Sequence, residues 1–395
     1  MQRNETLTTT TGTTTDAYDL DVLAHRAPVT DDLLQLADWL ATNGPVRLSA
    51  IARIELAERL ITRRRFLIGA GALGLGVITG CGPEEEAAAP TTTVATRIVE
   101  HAGGTIEVPA NPQRVVVISP TIVVHLVSVD LTPVAADNHG PLWMRPYRER
   151  YDEDMQISEI STVGSGLEPN LEQIASIGPD LILTETIMDE SIQERLAEIA
   201  PTVVIFRGEL ENYPEQGPTN AGWKPAFDQT VRAVGRQEEA EQWHQRYQDQ
   251  VDQARAVSEG ISVSFIRPQR GTGNFTLDGT TAFAGSVAEE SGFTVIDAPE
   301  GVGEARFGTV SISNERLDIA DGDVIVTSDA TDFGFLDETG VEIFARNPLW
   351  ETLPAVEADR VLVLPEQIYN GGTYAYAIAL LTELREAVVQ GEVNA

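Results

Sequence analysis

Cysteine, lysine and histidine are nearly missing from this chain. Its 395 residues include one cysteine, Cys81, one lysine, Lys224, and five histidines. A single cysteine excludes a disulfide framework and a thiolate metal cluster, and it suits a protein that folds in a reducing compartment. A bare-metal site needs several imidazoles and carboxylates converging on one ion. His25 lies far upstream, His101 falls in a hairpin pattern and His244 on a long helical pattern, which leaves His125 and His139. His125 sits in an apolar helical pattern, where a packed, hydrogen-bonded ring is the commoner fate. Long apolar runs are also missing. Phe66 to Thr79, the nearest to one, is shorter than the roughly 20 residues of a membrane-spanning helix.

Positive charge is scarce. Twenty-seven Lys and Arg face 61 Asp and Glu, a formal net charge of −34. Such acidity argues against nucleic acid as a partner and against charge-driven binding to anionic lipid. Any anion-binding pocket must then be built from a few arginines against an unfavourable overall field. Catalytic signatures are lacking as well: there is no Gly-x-Ser-x-Gly elbow, no His-Glu-x-x-His and no phosphate loop. Gly69-x-Gly71-x-x-Gly74 matches the dinucleotide fingerprint, but arginines rather than a strand precede it, and Gly164-Ser165-Gly166 reads as a turn. Neither an enzyme nor a cofactor is expected.

What is present begins with Thr62-Arg63-Arg64-Arg65-Phe66-Leu67, a Gly-rich apolar stretch, and Ile78-Thr79-Gly80-Cys81. Arg63 and Arg64 ahead of Phe-Leu resemble the bacterial twin-arginine export signal. The small residue before Cys81 resembles a lipobox, which implies acylation of Cys81 as the mature N-terminus and anchorage to the extracytoplasmic face of the cell membrane. Residues 62–81 are therefore read as a lipoprotein signal. Residues 1–61, opening on a Thr-rich tail, are an extension better explained by an early start codon than by a cytosolic segment. Residues 82–96 are an acidic, then Ala-, Pro- and Thr-containing tether.

The remaining pattern predicts an α/β protein of two Rossmann-like lobes joined by a single long α-helix, with a ligand cleft between them. A hairpin is expected from Arg97–Glu100 and Thr105–Val108 around Gly103-Gly104. Buried parallel strands are expected at Arg114–Ile118, Val134–Ala136, Leu181–Thr184 and Thr202–Phe206. A second block is expected at Ser262–Ile266, Thr294–Ile296, Val324–Thr327 and Arg360–Leu364. These bound an N-terminal lobe over 97–222 and a C-terminal lobe over 260–372. Between them, 223–259 is assigned to the spanning helix. Arg236 to Glu259 lacks Gly and Pro, and Ala240, Trp243, Tyr247, Val251 and Ala254 recur at helical spacing. Residues 373–395 close the chain with a helix.

Each lobe carries a copy of one pattern. Asn170-Leu171-Glu172-Gln173-Ile174 leads to Gly178-Pro179-Asp180-Leu181-Ile182, and Asn314-Glu315-Arg316-Leu317 leads to Gly322-Asp323-Val324-Ile325. Glu172 precedes Asp180 by the interval that separates Glu315 from Asp323. An acid in a helix's first turn is favoured by the helix dipole, which explains one copy. Two matched copies point to one carboxylate presented by each lobe to a partner.

Gly104 to Val117 (GTIEVPANPQRVVV), Glu168-Pro169-Asn170-Leu171-Glu172 with Pro179-Asp180-Leu181-Ile182, and Asn347-Pro348-Leu349-Trp350 with Leu353-Pro354-Ala355-Val356 follow one another in order. Together they resemble the ferric-siderophore substrate-binding lipoproteins of ABC transporters, the class III periplasmic binding proteins, over Arg97 to Val389. The resemblance implies two lobes, limited closure on a ligand, and docking of Glu172 and Glu315 onto arginines of a permease dimer whose ATPase drives import. Cobalamin or haem on the same scaffold is the alternative, with Tyr369 or His139 available to a haem, and a metal-ion site stands behind both.

A ferric siderophore presents an oxygen-rich iron centre framed by apolar or amide arms, which calls for arginines and aromatic faces. Open α/β sheets bind ligands beyond the carboxyl ends of their strands. Residues so placed are Trp143 and Arg145 after the second strand, Arg267 after the first strand of lobe two, Phe275 in the next loop, Arg306 ahead of the second repeat, and Tyr369 after the last strand.

Overall fold

The computed structural model describes residues 95–151, 160–166, 168–186, 189–215, 218–269, 271–306, 308–329 and 339–393. Arg63, Arg64 and Cys81 lie outside them. The described chain opens on a hairpin, β1 (Thr96–His101) and β2 (Gly104–Pro109), paired antiparallel around Ala102-Gly103. Arg97 ties it to the body, donating to Ala110 O at 2.6 Å and to Ala233 O.

The first lobe alternates strand and helix: β3 (Val115–Ile118), α1 (Pro120–Val127), β4 (Ala135–Ala136), α2 (Gly140–Tyr151), β5 (Ser161–Thr162), α3 (Leu171–Ile177), β6 (Leu181–Glu185), α4 (Glu190–Ala197) and β7 (Thr202–Ile205). The strands are all parallel in the order β5-β4-β3-β6-β7. Every residue of β3, β6 and β7 is buried, which is why these segments read as short, mainly apolar runs. Val116, Ile118, Ile174, Ile182 and Leu196 form the core on one side of the sheet. Because the chain begins at the central β3 and builds outward in both directions, the strand order reverses between β3 and β6. Such a switch point leaves a crevice at the carboxyl edge.

The segment assigned to one spanning helix is two helices, α5 (Trp223–Val234) and α6 (Gln237–Arg255). Gly235 ends α5 in the left-handed conformation at φ 70, its N–H bonded back to Arg232 and Val231 carbonyls. This is the usual glycine stop. α6 closes at Arg255, short of Glu259, so its 19 residues span about 28 Å. Its apolar stripe touches both lobes: Trp243 Nε1 donates to Ser128 O at 2.5 Å, and Tyr247 OH donates to Glu290 at 2.7 Å. A Cβ at position 235 would run into the Arg97 guanidinium. Gly235→Ala is therefore expected to cost about 1–3 kcal/mol, from left-handed strain and the displaced Arg97, measurable by chemical unfolding.

The second lobe contains β8 (Ser262–Pro268), β9 (Asn274–Asp278), α7 (Phe283–Glu290), β10 (Thr294–Val295), β11 (Glu304–Arg306), β12 (Thr309–Ser313), a 3-10 helix at Asn314–Ile319, β13 (Val324–Asp329), α8 (Gly340–Phe344), α9 (Pro354–Glu357) and β14 (Val361–Pro365). β10, β8, β13 and β14 run parallel, again with the first strand inside and the order reversing beside it. The expected parallel block is present, but β9, β11 and β12 add an antiparallel extension. The carboxyl end of β14 leads into α10 (Glu366–Asn370) and the closing α11 (Tyr374–Val393). α11 returns to the first lobe, where Tyr376 OH donates to Trp143 O and Arg150 pairs with Glu383 at 2.6 Å. Both lobes belong to one compact unit.

The repeat seen in the sequence has a structural counterpart. In lobe one Asn170 caps α3, accepting from Gln173 N at 3.0 Å, and Gly178 ends it at φ 63. Asp180 then accepts from the backbone of Gln113 and Arg114 at 2.7 and 2.9 Å, pinning the start of β3. In lobe two Asp323 accepts from Ser262 N at 2.8 Å and Ser262 Oγ at 2.7 Å, pinning the start of β8. Burial works against the Asp323 charge, but the Ser262 bonds outweigh it and hold the carboxyl below its usual range. A lowered carboxylate contributes stability above its unfolded value that is lost as pH falls through its folded value. Asp323→Ala is expected to cost about 1–3 kcal/mol near neutral pH and to flatten the acid limb of the stability profile, as read from urea melts at several pH values.

Candidate ligand site between the lobes

The switch point of lobe one is occupied by polar groups. Ser119, at the end of β3, donates to Glu185, at the end of β6. Arg207, two residues beyond β7, grips the same carboxylate through Nε at 2.9 Å and Nη2 at 3.3 Å. The guanidinium also reaches Thr121 Oγ1 at 3.2 Å and Asn220 Oδ1 at 3.2 Å. Burial opposes a charge on Glu185, but Arg207 and the Ser119 hydroxyl together lower its pKa and keep it ionised. His125 itself is sealed in, with Nε2 3.0 Å from Gly372 O and Nδ1 3.1 Å from Thr230 Oγ1. Burial pushes its pKa down to about 4, so it stays neutral.

Lobe two carries a matching cluster at its own carboxyl edge. Arg267, the penultimate residue of β8, pairs with Glu366 at 2.8 Å and Asp278 at 3.2 Å, while the Tyr369 ring lies 5.1 Å from the guanidinium carbon. Burial alone would lower the Arg267 pKa, but Asp278 and Glu366 outweigh it and raise it. Burial raises the Asp278 carboxyl, with Arg267 opposing. Burial and Asp278 push the Tyr369 phenol well above its usual value, so it remains a neutral donor.

The two clusters border the same seam. Asn220, which holds Arg207, is followed by Ala221, whose N–H donates to Thr281 O at 3.1 Å, three residues past Asp278. On the other flank Gln367, next to Glu366, donates to Leu142 O at 3.0 Å. Trp143 and Arg145 follow on α2, both half-buried beside this contact. A joint between lobes that brings guanidiniums and carboxylates to one seam can bind a polar ligand.

Of the residues expected at the site, Arg267, Tyr369, Trp143 and Arg145 come to this seam. Phe275 does not: it lies in β9 rather than a loop and is fully buried with Ile266, Leu277 and Phe344 in the lobe-two core. Its alternation with Leu277 around Thr276 is the half-buried strand pattern, which turns it inward. Arg306 ends β11 and is separated from the second repeat by β12, not adjacent to it. His139 stands 3.9 Å from Asp137 at the start of α2. Sequence reasoning missed Glu185, Arg207, Asp278 and Glu366. Glu185 and Arg207 were within reach of the same carboxyl-end rule, applied to β6 and β7.

Glu172 and Glu315 are both exposed, each in the first turn of its helix. Asn170 N bonds Val163 O, just past β5, and Asn314 N bonds Gly273 O, next to the β9 start that pairs with the end of β8. Both acids thus stand at the carboxyl edge of their lobe. The first rides an α-helix and the second a 3-10 turn kinked at Arg316.

Comparison with known proteins agrees with this architecture. A putative ABC transporter substrate-binding lipoprotein of Bacillus subtilis, YhfQ, is 25% identical over 69% of this chain and 82% of its own length. The Fe(3+) dicitrate-binding periplasmic protein FecB of Escherichia coli is 25% identical over 67% of this chain and 80% of its own. Among solved structures, the siderophore periplasmic binding protein from the fuscachelin gene cluster of Thermobifida fusca superposes with a TM-score of 0.52 at 26% identity, covering 72% of this chain and 98% of that one. The family described as Periplasmic binding protein matches residues 115–368, from β3 through α10 and across both lobes. With its paired switch-point sheets and its seam of charged groups, the chain belongs to the periplasmic binding protein family.

Proposed function

We propose that this chain is the extracytoplasmic substrate-binding lipoprotein of an ABC importer, exported on the Arg63-Arg64 signal, anchored through Cys81, and built to capture a ferric siderophore for iron uptake. The ligand sits in the seam between the Glu185–Arg207 and Arg267–Asp278–Glu366 clusters, with Trp143, Arg145 and Tyr369 at its margin. Glu172 and Glu315 dock the loaded protein on a permease dimer, and the cognate ATPase supplies the energy. The chain itself performs no chemistry. The observation that carries this reading is a family match spanning both lobes of a molecule whose two sheets present polar clusters at one shared seam. Curated relatives named for ferric citrate support iron chelates as the ligand class.

The test is a titration of residues 82–395 against ferric siderophores, haem, cobalamin and free divalent ions, followed by intrinsic tryptophan emission. An iron chelate is expected to bind at about 1 μM or tighter. A response confined to haem, cobalamin or bare ions would replace this assignment.

A further inference from the structure

The helix that presents Trp143 and Arg145 is not closed by its own backbone. Pro146 stands inside α2 and has no N–H, so it cannot supply the bond that Leu142 O would accept in an unbroken helix. A buried carbonyl left without a donor costs about as much as a lost hydrogen bond. The missing donor comes from the other end of the chain: Gln367 Nε2, in α10, donates to Leu142 O at 3.0 Å in a fully buried contact. The next rung is opened as well. Trp143 O accepts from the Tyr376 hydroxyl of α11, and that hydroxyl also bonds the Tyr147 backbone. A phenol oxygen is thus inserted where Trp143 O and Tyr147 N would meet. The last turn of α2 is fastened to the same segment, Tyr151 OH donating to Ala375 O at 2.9 Å and Arg150 pairing with Glu383 at 2.6 Å.

Two consecutive rungs of α2 are therefore completed by side chains of α10 and α11. Gln367 is 2% exposed and Tyr376 is fully buried, so neither is placed to touch a ligand. Gln367 directly follows Glu366, which pairs with Arg267 at 2.8 Å. One dipeptide joins the guanidinium of lobe two to the carbonyl just ahead of Trp143 in lobe one.

Resting on the ligand seam proposed above, we propose that Gln367 is a positioning residue for that ligand. It replaces the hydrogen bond that Pro146 forfeits, holds α2 in place against lobe two, and so fixes Trp143 and Arg145 relative to Arg267. Tyr376 does the same for the next rung. The proline makes the arrangement specific: a helix with its own N–H at position 146 would have no use for Gln367, whereas this one takes its shape from the segment that follows β14.

The experiment compares the full chain with Gln367→Met and with Gln367→Met plus Pro146→Ala. Backbone amide exchange of the α2 peptide is measured beside titration with ferric dicitrate, ferric enterobactin and ferrichrome, and the tightest binder is carried to the variants. Gln367→Met is expected to speed exchange in α2 by about ten-fold while β3 and β13 keep their rates. It is expected to weaken the chelate about ten-fold, the cost of ordering two loosened side chains on binding. An alanine N–H at 146 can take over Leu142 O, so the double variant is expected to recover most of both losses. A purely structural glutamine would speed exchange in β3 and β13 as well and would not be rescued at 146. If Gln367→Met does not fold, Tyr376→Phe removes a single hydroxyl from the next rung and is expected to show the same two changes. Unchanged exchange in α2, unchanged affinity, or no rescue by Pro146→Ala overturns the positioning role and leaves iron-chelate capture standing. Failure of the unaltered chain to bind any of the three chelates overturns iron-chelate capture and the positioning role with it.

Discussion

Reversing both exposed acids, Glu172→Arg with Glu315→Arg, is expected to abolish siderophore-dependent iron uptake while changing ligand affinity by less than about two-fold. Each acid stands in a first turn at the carboxyl edge of its lobe, and neither belongs to the polar clusters of the seam. A carboxylate desolvated against an arginine at an interface is worth about 2–5 kcal/mol when its partner is left unpaired, and like charges repel by as much again. Two such sites multiply, so uptake should fall by more than about 100-fold, with each single reversal intermediate. Folding should be affected far less: an acid in a first turn contributes about 0.3–1 kcal/mol through the helix dipole. Uptake of radiolabelled ferric siderophore by cells, set beside tryptophan titration of the purified variant, separates docking from binding. Wild-type uptake by the double variant would remove the docking role.

The strands of this protein are legible because parallel strands buried on both faces are mostly apolar, with polar groups such as Glu185 confined to their ends. β3, β6 and β7 are four or five consecutive buried residues each, and so they announce themselves. The antiparallel β9 escapes the sequence reading because its alternation is short and interrupted by Thr276, and that puts Phe275 in a cleft loop instead of the core. The spanning helix is assigned over 223–259 although its uninterrupted pattern begins only at Arg236, and the break falls at Gly235, whose left-handed stop meets the Arg97 guanidinium. The intervals Glu172–Asp180 and Glu315–Asp323 were visible as a repeat. What the sequence could not contain was that each aspartate fastens the start of a strand more than 60 residues away. The site was half legible for the same reason. Arg267 follows an apolar run that ends in plain sight, but its partners Asp278 and Glu366 come from other elements, and only strand order brings them together.

The same cluster yields the largest effect on stability. Arg267→Met should destabilise the protein by about 3–5 kcal/mol, because it leaves Asp278 and Glu366 buried beside one another without a countercharge. The two carboxylates are 3% and 5% exposed at their side chains, so water cannot replace the guanidinium. The loss should depend on pH with a definite sign. Burial already raises the Asp278 carboxyl, with Arg267 restraining it, and removing Arg267 raises it further. A carboxyl raised in the folded state binds its proton more readily there than in the unfolded chain. Stability is then full below the unfolded value and declines as pH climbs through the folded one. The variant should therefore lie closer to wild type at about pH 5 than at about pH 8 when both are melted in urea. Neutralising the acids as well, in Arg267→Met with Asp278→Asn and Glu366→Gln, should recover most of the stability and remove the added pH dependence, since replacing a whole buried charge cluster costs far less than breaking it. A single variant as stable as wild type at high pH would mean that the carboxylates find another partner. A triple variant no more stable than the single one would place the arginine's contribution in its packing against the Tyr369 ring and not in its charge.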